Sequence, residues 1–438
     1  MAFPGDTDRR ILRLAIPALG ALAVEPLYVA VDTAMIGRVG TSELAGLALA
    51  AAVLSLLVAG ANFLTYGTTQ QVARAVGAND PASADRAGRT AMWVALAVGV
   101  SALPILVLVR GPLVGFLGGT GTSADHASTY LWISALGLPA VMLVLASQGV
   151  FRGHSDYRTP LWILLASNMA NAVIEWFLVF ALDLSVAGSA WSTVIAQWGA
   201  AIALLGLQRR RIGRLLGKRP GLGEAAPLLT AGRHLLLRVA GILGVLTGST
   251  SLMARQSDAA LAAHQVVMAM FILLALILDA LAMPAQTLVA EAEGAGRADE
   301  GLSISRRTEI LSAGSGAVLA AMLIAGSGVV PRLFTADATV VDQAQGAVIL
   351  LGVLLIPGAI AFAGDGILIG LGDYRFLGRL SVATLAAVAP LYPLLAKLNT
   401  GPTALWACLT GWMALRAVTV HLRYRSLLGT SHASEATR

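Results

Sequence analysis

Gly149-Val-Phe-Arg-Gly153-His-Ser-Asp156-Tyr157-Arg158 returns as Gly366-Ile-Leu-Ile-Gly370-Leu-Gly-Asp373-Tyr374-Arg375, with both glycines and the Asp-Tyr-Arg triplet displaced by the same 217 positions. The displacement holds well outside this stretch. It carries Arg38 onto Arg255, Leu44-Ala45 onto Leu261-Ala262, Val72-Ala73 onto Val289-Ala290 and Gly77-Ala78 onto Gly294-Ala295. Matches at one ungapped offset over such a distance do not arise from shared composition, and two units of 217 fill nearly all of the 438 residues. The chain is an internal duplication.

Each unit is built for a bilayer. Of all residues 57% are hydrophobic and 12% charged, against about 25% charged in an ordinary soluble domain, and the mean hydropathy is +0.77. Apolar stretches long enough to cross a hydrocarbon core of about 30 Å fall at 11–36, 44–73, 90–110, 129–151, 159–182 and 186–207, then at 230–254, 260–290, 308–330, 345–371, 376–397 and 402–422. Six spans per unit return the chain to its starting side. The two units therefore insert in the same sense, related by a pseudo-twofold axis along the membrane normal, an arrangement typical of secondary transporters. The predicted fold is all-α, with an amino-terminal six-helix lobe at 1–208, a cytoplasmic linker at 209–227 and a carboxy-terminal six-helix lobe at 228–438.

Lys and Arg set the orientation. With both termini in the cytoplasm, 25 of the 30 fall on that side, counting Arg9, Arg10 and Arg13, the loops 74–89, 152–158, 209–238, 297–307, 375–379 and the tail; Arg38, Arg110, Arg255, Arg332 and Lys397 fall outside. The net charge of +6 thus needs no nucleic acid, and the run Arg209, Arg210, Arg211, Arg214, Lys218, Arg219 reads as a topology anchor beside anionic lipid. Arg9, Arg10 and the small trio Ala21-Leu22-Ala23 imitate a cleavable signal peptide, but the apolar run continues to Ile36 and belongs to the repeat, so the helix is expected to be kept. The single Cys408 excludes a disulfide framework and a thiolate metal site. Gly149 with Gly153 and Gly366 with Gly370 have the small-xxx-small spacing that lets helix backbones approach closely.

Charged groups at the centre of a span cost about 2.5–3.5 kcal/mol each, so those that remain point to function. Glu25, Tyr28 and Asp32 occupy one face of the first span; Asn168, Asn171 and Glu175 repeat the spacing in the fifth; Ser189, Thr193 and Gln197 follow in the sixth. If these stripes face one another, the first lobe holds a dry carboxylate cluster able to take up and release protons, or to bind Na⁺ through Asp32, Asn171, Glu175 and Thr193. Pro17 and Pro26 permit kinks in the helix that carries Asp32. The second half is polar elsewhere, at His264, Gln265, Asp279 and Asp365. Asp279, Asp365, Gln265, Asn168 and Gln197 are candidates for a substrate path, and His264, near a span end, reads as a solvated or capping histidine. Zinc-protease, nucleophile-elbow, P-loop and dinucleotide-binding signatures are missing, so an ion gradient rather than ATP or a cofactor is expected to supply the energy.

Several of these segments resemble a known family. Arg13-Leu-Ala-Ile-Pro17, the run Glu25-Pro-Leu-Tyr28-Val-Ala-Val-Asp32-Thr-Ala-Met-Ile-Gly37 and Glu43-Leu-Ala-Gly46 are similar to the first helix and loop of multidrug and toxic compound extrusion (MATE) transporters of the DinF type. Ala262-Ala-His264-Gln265, Leu278-Asp279-Ala-Leu-Ala282 and Gln286 resemble the second-half signature of that branch. The resemblance implies a monomeric, multi-pass inner-membrane antiporter that exports amphipathic, often cationic compounds against H⁺ or Na⁺. Tyr28 and Asp32, Asn171 and Glu175, and Thr193 would take the ion-site roles and Pro17 the kink. The chain departs from the pattern in having Glu where the family commonly has Asp at 175, and in the added acid Glu25. The alternative in the same superfamily is a lipid-linked oligosaccharide flippase, which would want a basic cavity where these spans show few arginines.

Overall fold

The computed structural model describes residues 4–212 and 219–435, and among them every regular element is helical. In chain order these are α1 (Pro4–Ile36), α2 (Thr41–Ala61), α3 (Phe63–Gly77), α4 (Pro81–Phe116), α5 (Gly121–Ala135), α6 (Leu138–Gly153), α7 (Arg158–Trp176), α8 (Ser185–Ile212), α9 (Leu222–Gln256), α10 (Asp258–Gly294), α11 (Ala298–Ala325), α12 (Ala338–Gly370), α13 (Tyr374–Val388), α14 (Leu391–Leu398) and α15 (Gly401–Glu435). A π-helical turn, Phe177–Ala181, extends α7, and a short 3₁₀ turn, Val330–Leu333, precedes α12. Among the described residues eleven stretches are long and apolar enough to cross a membrane, and α5 with α6, bent by 56° across Leu136 and Gly137, makes a broken twelfth. The broken helix is the fourth span expected from the sequence at 129–151. Its exposed Leu136 carbonyl is satisfied by the indole Nε1–H of Trp198 from α8, at 3.1 Å, which holds the break in place.

Helix starts follow local chemistry. Asp80 accepts from the Ser83 amide at 2.9 Å, Ser257 from that of Ala260 at 3.1 Å and Asp337 from that of Thr339 at 2.8 Å, each supplying an acceptor for an amide that has none inside its helix. The Asp-Tyr-Arg motif is a cap too. Asp156 accepts from the Thr159 amide at 3.0 Å to start α7, and Asp373 accepts from the Phe376 amide at 3.3 Å to start α13. Thr159 and Phe376 are themselves 217 residues apart. The cap on Asp80 lets α4 start at Pro81, ahead of the apolar stretch expected at 90–110.

The repeated glycines obey the same offset in space. A Cβ on Gly149 would fall 2.8 Å from the Thr65 carbonyl oxygen, and one on Gly366 would strike the Ala282 carbonyl; one on Gly153 would meet the Thr69 carbonyl at 3.1 Å, and one on Gly370 the Gln286 carbonyl at 2.6 Å. Ala282 and Gln286 lie 217 residues after Thr65 and Thr69, so one helix crossing, α6 on α3, is built again as α12 on α10. Hydrocarbon gives helices no hydrophobic drive to associate, so close backbone packing of this kind carries the association. We therefore expect Gly366→Val to destabilise the folded protein by about 1–3 kcal/mol, while Gly411→Val, where an added Cβ meets nothing within 4 Å, leaves the unfolding temperature in detergent unchanged. Equal melting of the two variants would refute the packing argument.

The chain divides into two compact units, one of Gly20–Gly232 and the other of Arg233 onward with the residues before Gly20. Helices α8 and α9 run on to Ile212 and begin at Leu222, so among the described residues of the expected linker 209–227 all but 219–221 are helical, and α1 is divided between the units at Gly20. Arg214 and Lys218 of the basic run lie outside the described residues. The carboxy-terminal unit is centred on α12, whose Val348, Leu351, Leu354 and Leu355 are buried against Trp406, Leu409 and Met413 of α15.

Candidate functional site

In the amino-terminal unit four helices deliver polar side chains to one buried place. α1 brings Tyr28 and Asp32, α5 brings Tyr130, α7 brings Asn171 and Glu175, and α8 brings Ser189, Ser192 and Thr193, with the one-turn spacings i, i+4 within α1, α7 and α8 placing each set on one face. Asp32 is 5% exposed, Asn171 1% and Glu175 0%. Ser189 Oγ donates to Asp32 Oδ1 at 2.5 Å. Thr193 Oγ1 donates to the Ser189 carbonyl at 3.0 Å; its only proton is then used, so the Tyr28 hydroxyl, 2.7 Å away, is the donor in that pair. Ser192 likewise donates to the Ser189 carbonyl at 2.7 Å. Asn171 Nδ2 donates to the oxygens of Ser192 and Thr193, each at 3.4 Å.

The hydroxyl protons are thus consumed on the α8 side, and acceptors are left over. Both carboxyl oxygens of Glu175 and the Asn171 Oδ1 are buried without a hydrogen-bond partner, although Glu175 lies beside Asp32 and Ser189. Tyr130, 3% exposed, stands next to Asp32, Ser189 and Thr193. Among the described residues no Lys, Arg or His bonds to any member of the cluster. Two carboxyls, surplus acceptor oxygens and no fixed cation make a site that a proton or a small cation completes.

The structure brings together Tyr28, Asp32, Asn171, Glu175 and Thr193 from the residues expected, and adds Tyr130, Ser189 and Ser192. Glu25 is exposed and makes no hydrogen bond or ion pair among the described residues. Asn168 is half-buried without a bond to the cluster, and Gln197, whose Oε1 is unpartnered, stays beside Gly137 at the α5–α6 break. Pro17 and Pro26 lie inside an unbroken α1. Tyr130 had left little sequence signal: a single tyrosine in an apolar span, made relevant only by the break that follows it.

The carboxy-terminal unit is charged differently. Asp365 Oδ2 accepts from Arg238 Nε at 3.0 Å, Arg238 Nη2 at 2.6 Å and Arg416 Nη2 at 2.8 Å. Arg416 Nη1 also donates to Ser381 Oγ at 2.9 Å. Asp279 is half-buried within electrostatic range of Arg238 and Asp365, and Gln265 is exposed. Arg238 and Arg416, counted above among the cytoplasmic residues, instead sit within α9 and α15, because a buried carboxylate in α12 holds them there. His264 is likewise not solvated. It is 0% exposed, its Nε2 lies 3.2 Å from Thr250 Oγ1, and its ring packs 5.9 Å from that of Trp406.

A duplicated twelve-span helical protein with a buried, donor-poor carboxyl cluster is by class a polytopic membrane carrier. The MatE family matches residues 17–177 and 239–394, one stretch in each half. Among curated relatives, Protein DETOXIFICATION 44, chloroplastic, of Arabidopsis thaliana is 31% identical over 94% of this chain and 81% of its own, and DNA damage-inducible protein F of Escherichia coli strain K12 is 29% identical over 97% and 94%. Among solved structures, a Vibrio cholerae MATE transporter, VcmN, in the bent form superposes with a TM-score of 0.90 at 18% identity, covering 98% of this chain and 99% of its own. An outward-facing multidrug resistance MATE family transporter of the MOP superfamily gives 0.89 at 17% identity over 97% and 96%. The chain belongs to the MatE family, the multidrug and toxic compound extrusion transporters. It is accordingly an efflux transporter driven by an ion gradient, and not an enzyme.

Proposed function

We propose that the protein is a proton-coupled antiporter of the inner (plasma) membrane, exporting amphipathic organic cations, with both termini in the cytoplasm. The observation that carries the reading is Glu175, whose two oxygens are buried and unbonded beside an Asp32 already held by Ser189. With no fixed cation nearby, the pair is stable when it shares a proton, and a second negative charge there is costly. Proton gain and loss is therefore an event that the surrounding helices feel. α1 carries Asp32 and Tyr28 and contains Pro17 and Pro26, each of which removes one internal hydrogen bond, so it is the element suited to bend as the pair changes charge. Protonation from outside favours the bent helix and release of substrate; the return step delivers the proton to the cytoplasm. Asp279, half-buried within electrostatic range of Arg238 and Asp365, supplies the acid of the carboxy-terminal half to the substrate path, beside an Arg238 that Asp365 holds in place.

The oxygens of Asp32, Asn171, Glu175 and Thr193 also suit Na⁺ as ligands, and the deciding experiment separates the two ions. Proteoliposomes are loaded with a fluorescent organic cation, and a pH gradient or a Na⁺ gradient is imposed alone. We expect efflux with the pH gradient and none with Na⁺. Efflux with Na⁺ alone would assign the site to Na⁺ and overturn the proton reading; efflux with neither would overturn antiport. The MatE match and the relatives named above do not favour the oligosaccharide flippase.

A further inference from the structure

On the carboxy-terminal unit a groove of about 420 Å³ opens between α11, α12 and α15, walled by Ile310, Ala313, Ile360, Ala417, Val418 and Leu422. Its walls are wholly apolar, but one end is not. There His421 Nδ1 donates to Glu309 at 2.9 and 3.0 Å, and the Tyr424 hydroxyl donates to Glu309 Oε2 at 2.5 Å. One turn farther along α11 and α15 stand Arg306 and Arg425, both exposed and both within electrostatic range of the Tyr424 hydroxyl. Neither makes an ion pair among the described residues, in contrast to the adjacent Arg307 and Arg423, which pair with Asp8 and Asp373.

Helical spacing turns this into layers. Along α11, Arg306, Glu309 with Ile310, and Ala313 fall at i, i+3/i+4 and i+7; along α15, Arg425, His421 with Leu422, and Val418 fall at i, i−4/i−3 and i−7. A basic layer, a hydrogen-bonding layer and an apolar layer therefore follow one another from the helix ends inward. That order is the order of an anionic lipid: phosphate, glycerol, acyl chain. His421 fits the middle layer. Its Nδ1–H is committed to Glu309.

We propose that this groove binds one anionic phospholipid, of the phosphatidylglycerol type, with its phosphate between Arg306 and Arg425 and an acyl chain along Val418 and Ala313. Glu309 is already bonded twice within the slot, so the two unpaired guanidinia set the charge that an incoming headgroup meets, and a cationic headgroup is disfavoured. Placing this lipid in the cytoplasmic leaflet rests on the orientation proposed above; the binding itself rests on neither that orientation nor the coupling ion.

The test is native mass spectrometry of the detergent-purified full chain titrated with phosphatidylglycerol or phosphatidylcholine, a readout independent of efflux. We expect one phosphatidylglycerol to bind more tightly than phosphatidylcholine. Arg306→Ala/Arg425→Ala should weaken it roughly thirtyfold, about fivefold per guanidinium. Val418→Trp, at a position 58% exposed where the fold tolerates bulk, should block it by filling the groove. Arg332→Ala/Lys397→Ala removes the same charge from another exposed place and should change nothing. Equal binding of the two lipids, equal weakening by the control pair, or unchanged binding in Val418→Trp would each overturn the proposal.

Discussion

Asp32→Asn is expected to reduce gradient-driven efflux to the rate of protein-free vesicles while leaving the protein folded and inserted. The amide keeps the size of the side chain and an oxygen that accepts from Ser189 Oγ, now 2.5 Å from Asp32 Oδ1, so packing and register survive. What is lost is the exchangeable proton and the charge that makes Glu175 sensitive to it. An intermediate result is informative too. Glu175→Gln removes the second carboxyl but leaves Asp32 with its serine donor, so it should slow transport less than Asp32→Asn and change its dependence on external pH. The measurement is efflux of the fluorescent cation from proteoliposomes, with insertion checked by quantifying reconstituted protein. Coupled efflux intact in Asp32→Asn would remove Asp32 from the mechanism.

The second large effect is on stability. Asp365→Ala should cost about 3–5 kcal/mol, because it leaves two guanidinia in a low-dielectric interior without their shared carboxylate. Arg416 and Asp365 have side-chain exposures of 3% and 7%, so water cannot replace the lost partner. Arg416→Met in the Asp365→Ala background removes one of the stranded charges and should return part of the loss, a non-additivity that identifies a network. Unfolding in detergent, followed by intrinsic tryptophan fluorescence, reads both. An Asp365→Ala protein as stable as the unchanged one would mean that the arginines find other partners.

Much of this was legible in the sequence because periodicity and duplication are local or exactly repeated signals. The 217-residue offset predicted a repeated packing unit, and the glycine contacts onto Thr65 and Ala282, and onto Thr69 and Gln286, reproduce it in space. Polar stripes on α1, α7 and α8 likewise placed Tyr28, Asp32, Asn171, Glu175 and Thr193 together. Helical spacing fixes a face but not the depth at which neighbouring helices meet it. Glu25 shares that face with Asp32, yet seven residues of helix separate them by about 10 Å, and the cluster closes around Tyr28 and Asp32. Tyr130 needed the bend at Leu136 and Gly137, which no motif announced. Arg238 and Arg416 were misplaced because counting basic residues near span ends takes each as a flank, whereas the carboxylate that draws them inside lies 127 residues from one and 51 from the other in sequence. His264 was misread for the same reason, its partners being Thr250 and Trp406 on other helices.

The central claim is that one buried carboxyl pair exchanges a proton against substrate. If proton and substrate oppose each other in the same carrier, linkage requires that each weaken the binding of the other. Purified protein in weakly buffered detergent, mixed with an organic cation and followed with a pH indicator, measures this without any membrane gradient. The account predicts release of on the order of one proton per bound cation, since a proton is worth one charge in the exchange, and silence in Asp32→Asn even where the cation still binds. Binding without proton release in the unchanged protein, or equal release from Asp32→Asn, would contradict it.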